Sequence, residues 1–166
     1  MLLFPDALYK SAYEIPYEEY YSKGFRGIIF DIDNTLVEHG APADRKAVEL
    51  ISHLKAIGFK VCIISNNTED RVKPFADRVG SDYVYHASKP RTKEYKHAMR
   101  IMNTDKDKTI FVGDQIYTDI VGGNLSKVFT ILVSPIKIDP KAWIRFKRKL
   151  EKPILALYES KAKTKP

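Results

Sequence analysis

The chain has 166 residues, 44% hydrophobic and 30% charged, figures ordinary for a soluble globular protein and sufficient for one domain with a real core. Cys62 is its single cysteine, which excludes an intramolecular disulfide and a cysteine-based zinc site. The formal net charge of +7 is localised: residues 1–140 carry 19 basic and 19 acidic side chains, residues 141–166 nine basic and two acidic.

The opening Met-Leu-Leu-Phe meets Pro5 and Asp6 at once, too short a run for a signal sequence. No apolar stretch approaches a membrane span, so the cytosol is the expected compartment. Residues 1–25 are rich in aromatics and read as an N-terminal extension packing on the core, with a short helix from Tyr17 to Lys23 opened by Pro16 and ended by Gly24. Gly27 to Phe30 is a short apolar run, the signature of a buried parallel strand. Asp31 and Asp33 follow it. After a polar loop, Asp44 caps a helix carrying Val48, Ile51, Leu54 and Ile57 on one face and closed by Gly58. Phe59 to Ile64 is a second buried strand, in which Cys62 is an inert thiol, and it ends in Ser65-Asn66-Asn67. A helix from Glu69 to Arg78 leads to a short strand at Tyr83 to Tyr85, then to Lys89-Pro90 and a helix from about Thr92 to Met102. Thr109 to Val112 is a strand delivering Gly113-Asp114, Ile116 to Leu125 is helical, and Val128 to Val133 is the last strand.

Strands alternating with helices across short connections predict an α/β fold, a doubly wound, Rossmann-like and mostly parallel sheet with helices on both faces. Such sheets bind ligands at the carboxyl edge of their strands, which gathers Asp31, Asp33, Ser65, Asn66 and Asp114 in one place. Two carboxylates leaving a hydrophobic strand repel each other and resist desolvation, and a hard divalent cation, Mg2+, is the simplest compensation. The chain has no phosphate-cradling Gly-x-x-x-x-Gly-Lys-Ser/Thr loop, no Gly-x-Gly-x-x-Gly, no His-Glu-x-x-His and no Gly-x-Ser-x-Gly. Acids, a hydroxyl and a lysine at strand ends suit phosphoryl transfer, whose transition state spreads charge over three oxygens and calls for cations and donors.

Asp31-Ile-Asp33-Asn-Thr35 resembles the first motif, Asp-x-Asp-x-Thr, of the haloacid dehalogenase (HAD) superfamily of phosphotransferases. Ser65 after a hydrophobic strand matches the second motif, Lys89 the third, and Gly113-Asp114-Gln-Ile-Tyr-Thr-Asp119 the fourth, in order across residues 26–133. Asp-Ile-Asp-Asn-Thr-Leu-Val and Gly-Asp-Gln-Ile-Tyr-Thr-Asp-Ile-Val-Gly-Gly-Asn further resemble the YqeG-type members of subclass III (IIIA), a group related to mitochondrial phosphatidylglycerophosphate phosphatase. The resemblance implies that Asp31 attacks phosphorus and that Asp33 protonates the leaving oxygen and then activates water. It implies that Ser65, with Asn66 beside it, binds the phosphoryl group and that Lys89 stabilises its charge. Lys93 and Lys96 are alternatives for that lysine. Mg2+ would be held by the Asp31 carboxylate, the Asp33 main-chain carbonyl and Asp114, supported by Asp119 and Thr35. His39 reads as a solvent-exposed loop residue.

Superfamily members select substrates partly through inserted cap domains. Only about thirty residues separate Asp33 from Ser65, so no cap domain is expected, and the chain reads as a single HAD-like domain: extension 1–25, catalytic core 26–133, basic amphipathic segment 141–166. In that segment Trp143, Phe146, Leu150, Ile154 and Leu157 recur as one helical stripe opposite Lys141, Arg145, Arg148, Lys149 and Lys152, with a break or restart expected at Pro153. The stripe either covers the sheet or adheres to anionic membrane at its inner face. The expected function is Mg2+-dependent hydrolysis of a phosphomonoester through an aspartyl-phosphate, with phosphatidylglycerophosphate the substrate the resemblance suggests. The rivals are a soluble phosphatase of small phosphoesters or phosphoproteins, and a non-catalytic module binding RNA or ribosomes, although no nucleic-acid-binding motif is present.

Overall fold

The computed structural model describes residues 2–138 and 141–163. Among them, β1 (Ala7–Tyr9), β2 (Gly27–Phe30), β3 (Lys60–Ile64), β4 (Asp82–Val84), β5 (Thr109–Gly113) and β6 (Phe129–Val133) form one sheet in the order β1-β6-β5-β2-β3-β4. Every pairing is parallel. The helices are α1 (Tyr17–Ser22), α2 (Arg45–Ile57), α3 (Glu69–Val79), α4 (Lys93–Met102), α5 (Val121–Leu125) and α6 (Ala142–Lys163).

The alternation of side chains along each strand divides the core in two. Ile28, Phe30, Val61, Ile63, Ile110 and Val112 face one way, where Tyr17 and Tyr20 of α1, Ile51 and Leu54 of α2, and Val72 and Phe75 of α3 cover them. Ile29, Cys62, Ile64 and Phe111 face the other way against Tyr95, Ala98, Met99 and Met102 of α4. A smaller cluster of Ile116, Ile120 and Leu132 is packed by Ile154 and Leu155 of α6. The doubly wound α/β arrangement read from the sequence is therefore the observed one. Asp44 caps α2 by accepting from the Ala47 amide at 2.8 Å, and Gly58, with φ of 118°, closes it in a left-handed conformation that favours glycine.

Four details differ from the sequence reading. Ala7–Tyr9 within the N-terminal extension is an edge strand, registered on Ile131 to Val133 of β6; three residues, two half-buried about an exposed Leu8, are too few to carry a readable period. The strand expected at Tyr83–Tyr85 lies one residue earlier. The first half of the helix expected from Ile116 is a wider π-helical turn, Ile116–Ile120. Finally, α6 runs through Pro153 without a break: the proline sits on the exposed side, where water can solvate the one carbonyl that loses its partner. Residues 164–166 of the basic segment lie outside the described residues.

The placement of α6 also corrects the stripe. Trp143, Phe146, Leu150 and Leu157 are exposed, and Glu151 is buried. The inward face is set by polar anchoring, because Glu151 accepts from the Ile116 amide at 2.7 Å and Arg148 donates to the Asp114 carbonyl at 2.8 Å. An apolar-inside reading of the helical wheel cannot anticipate such anchors.

Candidate active site

Chain order runs from β2 outward to β3 and β4 on one side, then returns to β5 and β6 on the other. The reversal leaves a crevice at the carboxyl ends of β2 and β5, where doubly wound sheets bind ligands. Asp31 leaves β2 with its amide bonded to the Val112 carbonyl of β5 at 3.0 Å. Ser65 leaves β3, Asp114 leaves β5, and Lys89 arrives on the loop after β4.

The structure brings these residues together. Lys89 Nζ donates to Asp31 Oδ1 at 2.6 Å and to Asp119 Oδ1 at 2.7 Å, and all three side chains are buried. Lys93 and Lys96 point to solvent. Among the described residues, carboxylate oxygens of Asp31, Asp114 and Asp119 lie within 4.8 Å of one another. Thr35 Oγ1 donates to Asp114 Oδ1 at 3.3 Å. Asn66 accepts the Lys89 amide at 2.7 Å, so the second strand-end loop fixes the lysine-bearing loop, and Ser65 Oγ accepts the Asn67 amide at 3.2 Å. His39, expected in solvent, is half-buried and lines the same cavity of about 150 Å3. The cavity is also lined by Ile144 and Lys147 of α6 and by Lys141 just ahead of it.

Asp33 is placed differently. Its carboxylate is outside the acidic cluster and accepts from the Gly40 amide at 2.8 Å, Asn67 Nδ2 at 2.6 Å and Arg71 Nη2 at 3.0 Å. Burial works to raise its pKa, but the Gly40 amide and Arg71 outweigh burial and hold the carboxyl below its ordinary value. Asp119 enters through the π-helical turn, which folds its carboxylate back to accept the Asp114 and Gln115 amides, both at 3.1 Å. Gly113 makes that possible: a methyl group there would lie 2.6 Å from the Asp119 carboxyl carbon.

Burial raises the Asp31 pKa to about 7, with Asp119 adding repulsion and Lys89 opposing it. Burial likewise lifts Asp114 well above the carboxylate range, with Asp119 and Asp31 adding to it and Arg148 opposing. Burial also disfavours the Lys89 ammonium, yet Asp119 and Asp31 outweigh that and keep it charged. Three buried acids against Lys89 and Arg148 leave the cluster short of positive charge, and an all-oxygen donor set of this kind fits a hard divalent cation.

Three contributors were invisible in sequence. Arg71 and Asn67 hold Asp33, and Arg148 of α6 pairs with the Asp114 carboxylate and lies 3.7 Å from Glu151. No motif marks them. The charge of the C-terminal segment was the one available signal for Arg148.

The sequence matches the family described as "Hydrolase: haloacid dehalogenase-like hydrolase" over residues 39–126. It is 39% identical to the "probable phosphatase YqeG" of Bacillus subtilis (strain 168), across 95% of this chain and 92% of that protein. It is 27% identical to phosphatidylglycerophosphate phosphatase 1, chloroplastic/mitochondrial, of Arabidopsis thaliana, across 92% of this chain but 47% of that longer protein. In fold it is similar to the cobalt-bound deoxy-D-mannose-octulosonate 8-phosphate phosphatase of Haemophilus influenzae, with a TM-score of 0.52 and 13% identity across 87% of this chain and 95% of that one. With its acids at the switch point of the sheet and these likenesses along nearly its whole length, the chain belongs to the haloacid dehalogenase-like hydrolase family.

Proposed function

We propose that this hydrolase is a Mg2+-dependent phosphatase that cleaves a phosphomonoester through an aspartyl-phosphate on Asp31. The observation that carries the reading is the convergence of Asp31, Lys89, Asp114 and Asp119, all buried, at one edge of a parallel sheet. In this reading an Asp31 carboxylate oxygen attacks phosphorus as the ester P–O bond breaks, and the departing oxygen takes a proton from Asp33. Water then attacks the acyl phosphate and gives its proton to Asp33, which restores Asp31 and releases inorganic phosphate. Lys89 neutralises charge on the nucleophile and on the transferring group, while the Ser65 hydroxyl and Asn66 NH2 are donors for its non-bridging oxygens. Asp31, Asp114 and the Asp33 main-chain carbonyl would hold Mg2+, which would supply the positive charge that lets an anionic nucleophile approach an anionic ester. Ionised and clasped by Arg71, Asp33 is set for the water-activating half of the cycle; release from Arg71 favours the protonated form that the first half needs.

Likeness to the Arabidopsis enzyme supports phosphatidylglycerophosphate as substrate, and Lys141 and Lys147 on the cavity wall support an ester carrying further negative charge. Peripheral contact with an anionic membrane belongs to the same reading. The test is phosphate release with Mg2+ from phosphatidylglycerophosphate and from a panel of small soluble esters. Asp31→Asn should retain its circular dichroism and lose at least about a thousandfold in rate. Activity surviving in Asp31→Asn defeats the mechanism, and preference for the small esters defeats the lipid substrate.

A further inference from the structure

Helix α6 has two faces with different tasks. Its inner face reaches the candidate active site: Ile144 and Lys147 line the cavity, with Lys141 just ahead of the helix, and Arg148 pairs with Asp114. Its outer face presents Trp143, Phe146, Leu150 and Leu157, which are 66%, 52%, 46% and 48% exposed and fall along one narrow stripe of the helix. The Trp143 and Phe146 rings stack on each other with centroids 5.9 Å apart. Beside the stripe, exposed Arg145, Lys149 and Lys152 follow the helix, and with Lys137, Ile136 and Ile138 they line an open groove. Ile138 in that groove is 87% exposed.

We infer that the outer face of α6, together with the Ile136–Ile138 segment, docks on an anionic phospholipid bilayer and holds the active-site cavity at its surface. An apolar stripe with a tryptophan, flanked by lysine and arginine, matches a helix lying in the plane of a headgroup layer. The aliphatic and aromatic side chains enter the acyl boundary, and the basic margin meets lipid phosphates. A second copy of the chain is a poor occupant, because segment 141–166 carries nine basic and two acidic residues and would oppose its own charge. A nucleic acid is poorer still: bases stack on aromatic platforms, whereas half of this stripe is leucine. Since α6 is itself a wall of the cavity, docking places the cavity about one helix diameter, roughly 10 Å, from the bilayer. This inference deepens the membrane element of the proposed function and rests on it for its purpose, but its test does not require catalysis.

Trp143 is the sole tryptophan of the chain, so its fluorescence reports the docking face directly. With vesicles of equimolar phosphatidylglycerol and phosphatidylcholine, emission should shift to the blue and the protein should sediment with the lipid. Pure phosphatidylcholine vesicles should bind far more weakly. Leu150→Glu with Leu157→Glu, on exposed positions that leave the fold intact, should weaken binding by about a hundredfold. Lys149→Glu with Lys152→Glu should weaken it by about tenfold or more and erase the preference for anionic lipid. Asp31→Asn should bind vesicles like the parent chain, whereas hydrolysis of a soluble ester without vesicles tests catalysis alone, so the two readings fail separately. The inference is overturned if Trp143 emission does not shift, if the leucine variant binds equally well, or if a single-stranded oligonucleotide competes the protein off the vesicles.

Discussion

Asp31 and Asp114 are acids whose folded environment favours the protonated form, and the consequence is a stability that depends on both pH and cation. A carboxyl raised by burial binds its proton in the folded state over a range where the unfolded chain has already released it. Folding then takes up protons, so stability is full below the unfolded pKa of about 4 and falls as pH rises toward about 7, where Asp31 ionises. Asp114, and Glu151 raised by burial against the Ile116 amide and Arg148, act with the same sign. Asp33, held below its ordinary value, loses its contribution only at more acid pH. In EDTA, the thermal midpoint at about pH 5 should therefore exceed that at about pH 8, and Mg2+ should raise the midpoint more at the higher pH, where Asp31 is ionised and fewer protons compete with the cation for the cluster. A Mg2+ effect equal at the two values, measured by calorimetry, would contradict this account of the cluster. At this scale the acids and Lys89 were legible because each stands at the end of an apolar strand or in a motif. Arg71, Asn67 and Arg148 were not, since their positions depend on how α3 and α6 pack.

The elements that could be read from sequence are those whose burial dictates composition. Strands β2, β3, β5 and β6 are covered on both faces and so appear as continuous apolar runs. The edge strand β1 is half-exposed and appears as nothing in particular. The π-helical turn after β5 is subtler: its helical pattern is plain, but the extra width that turns Asp119 back onto the Asp114 and Gln115 amides has no sequence period of its own. The turn depends on Gly113. Gly113→Ala would bring a methyl to 2.6 Å from both the Asp119 Cβ and its carboxyl carbon, contacts that a side-chain rotation alone cannot relieve. The expected cost is about 1–3 kcal/mol in urea unfolding, accompanied by a weakened Mg2+-induced rise in thermal midpoint as Asp119 leaves Lys89. If Gly113→Ala unfolds like the parent chain and keeps its Mg2+ response, the close approach is not what positions Asp119.

Across the whole molecule the near-neutral body meets the basic C-terminal segment along α6, which packs on the α4 side of the sheet and lines the candidate-site cavity. Its inner face supplies Glu151 to the Ile116 amide and Ile154 and Leu155 to the cluster of Ile116, Ile120 and Leu132. Periodicity showed an amphipathic helix but not its orientation, because the wheel has an apolar face and a mixed face and the protein buries the mixed one. Ending the chain after Pro140 removes these contacts without touching any strand. Two partly buried aliphatic side chains account for about 1 kcal/mol each, and loss of the hydrogen bond from the Ile116 amide to the Glu151 carboxylate adds about 1.5–3 kcal/mol. A domain of this size loses about 2–4 °C per kcal/mol, so the truncated chain should keep its far-ultraviolet strand signal while melting roughly 10 °C lower. Asp114 also loses its guanidinium partner, which leaves the acidic cluster still shorter of positive charge, so Mg2+ should restore more of the lost midpoint than it adds to the full chain. A truncated chain that melts with the parent would mean that α6 lies off the body in solution, and would remove the helix from the active-site wall.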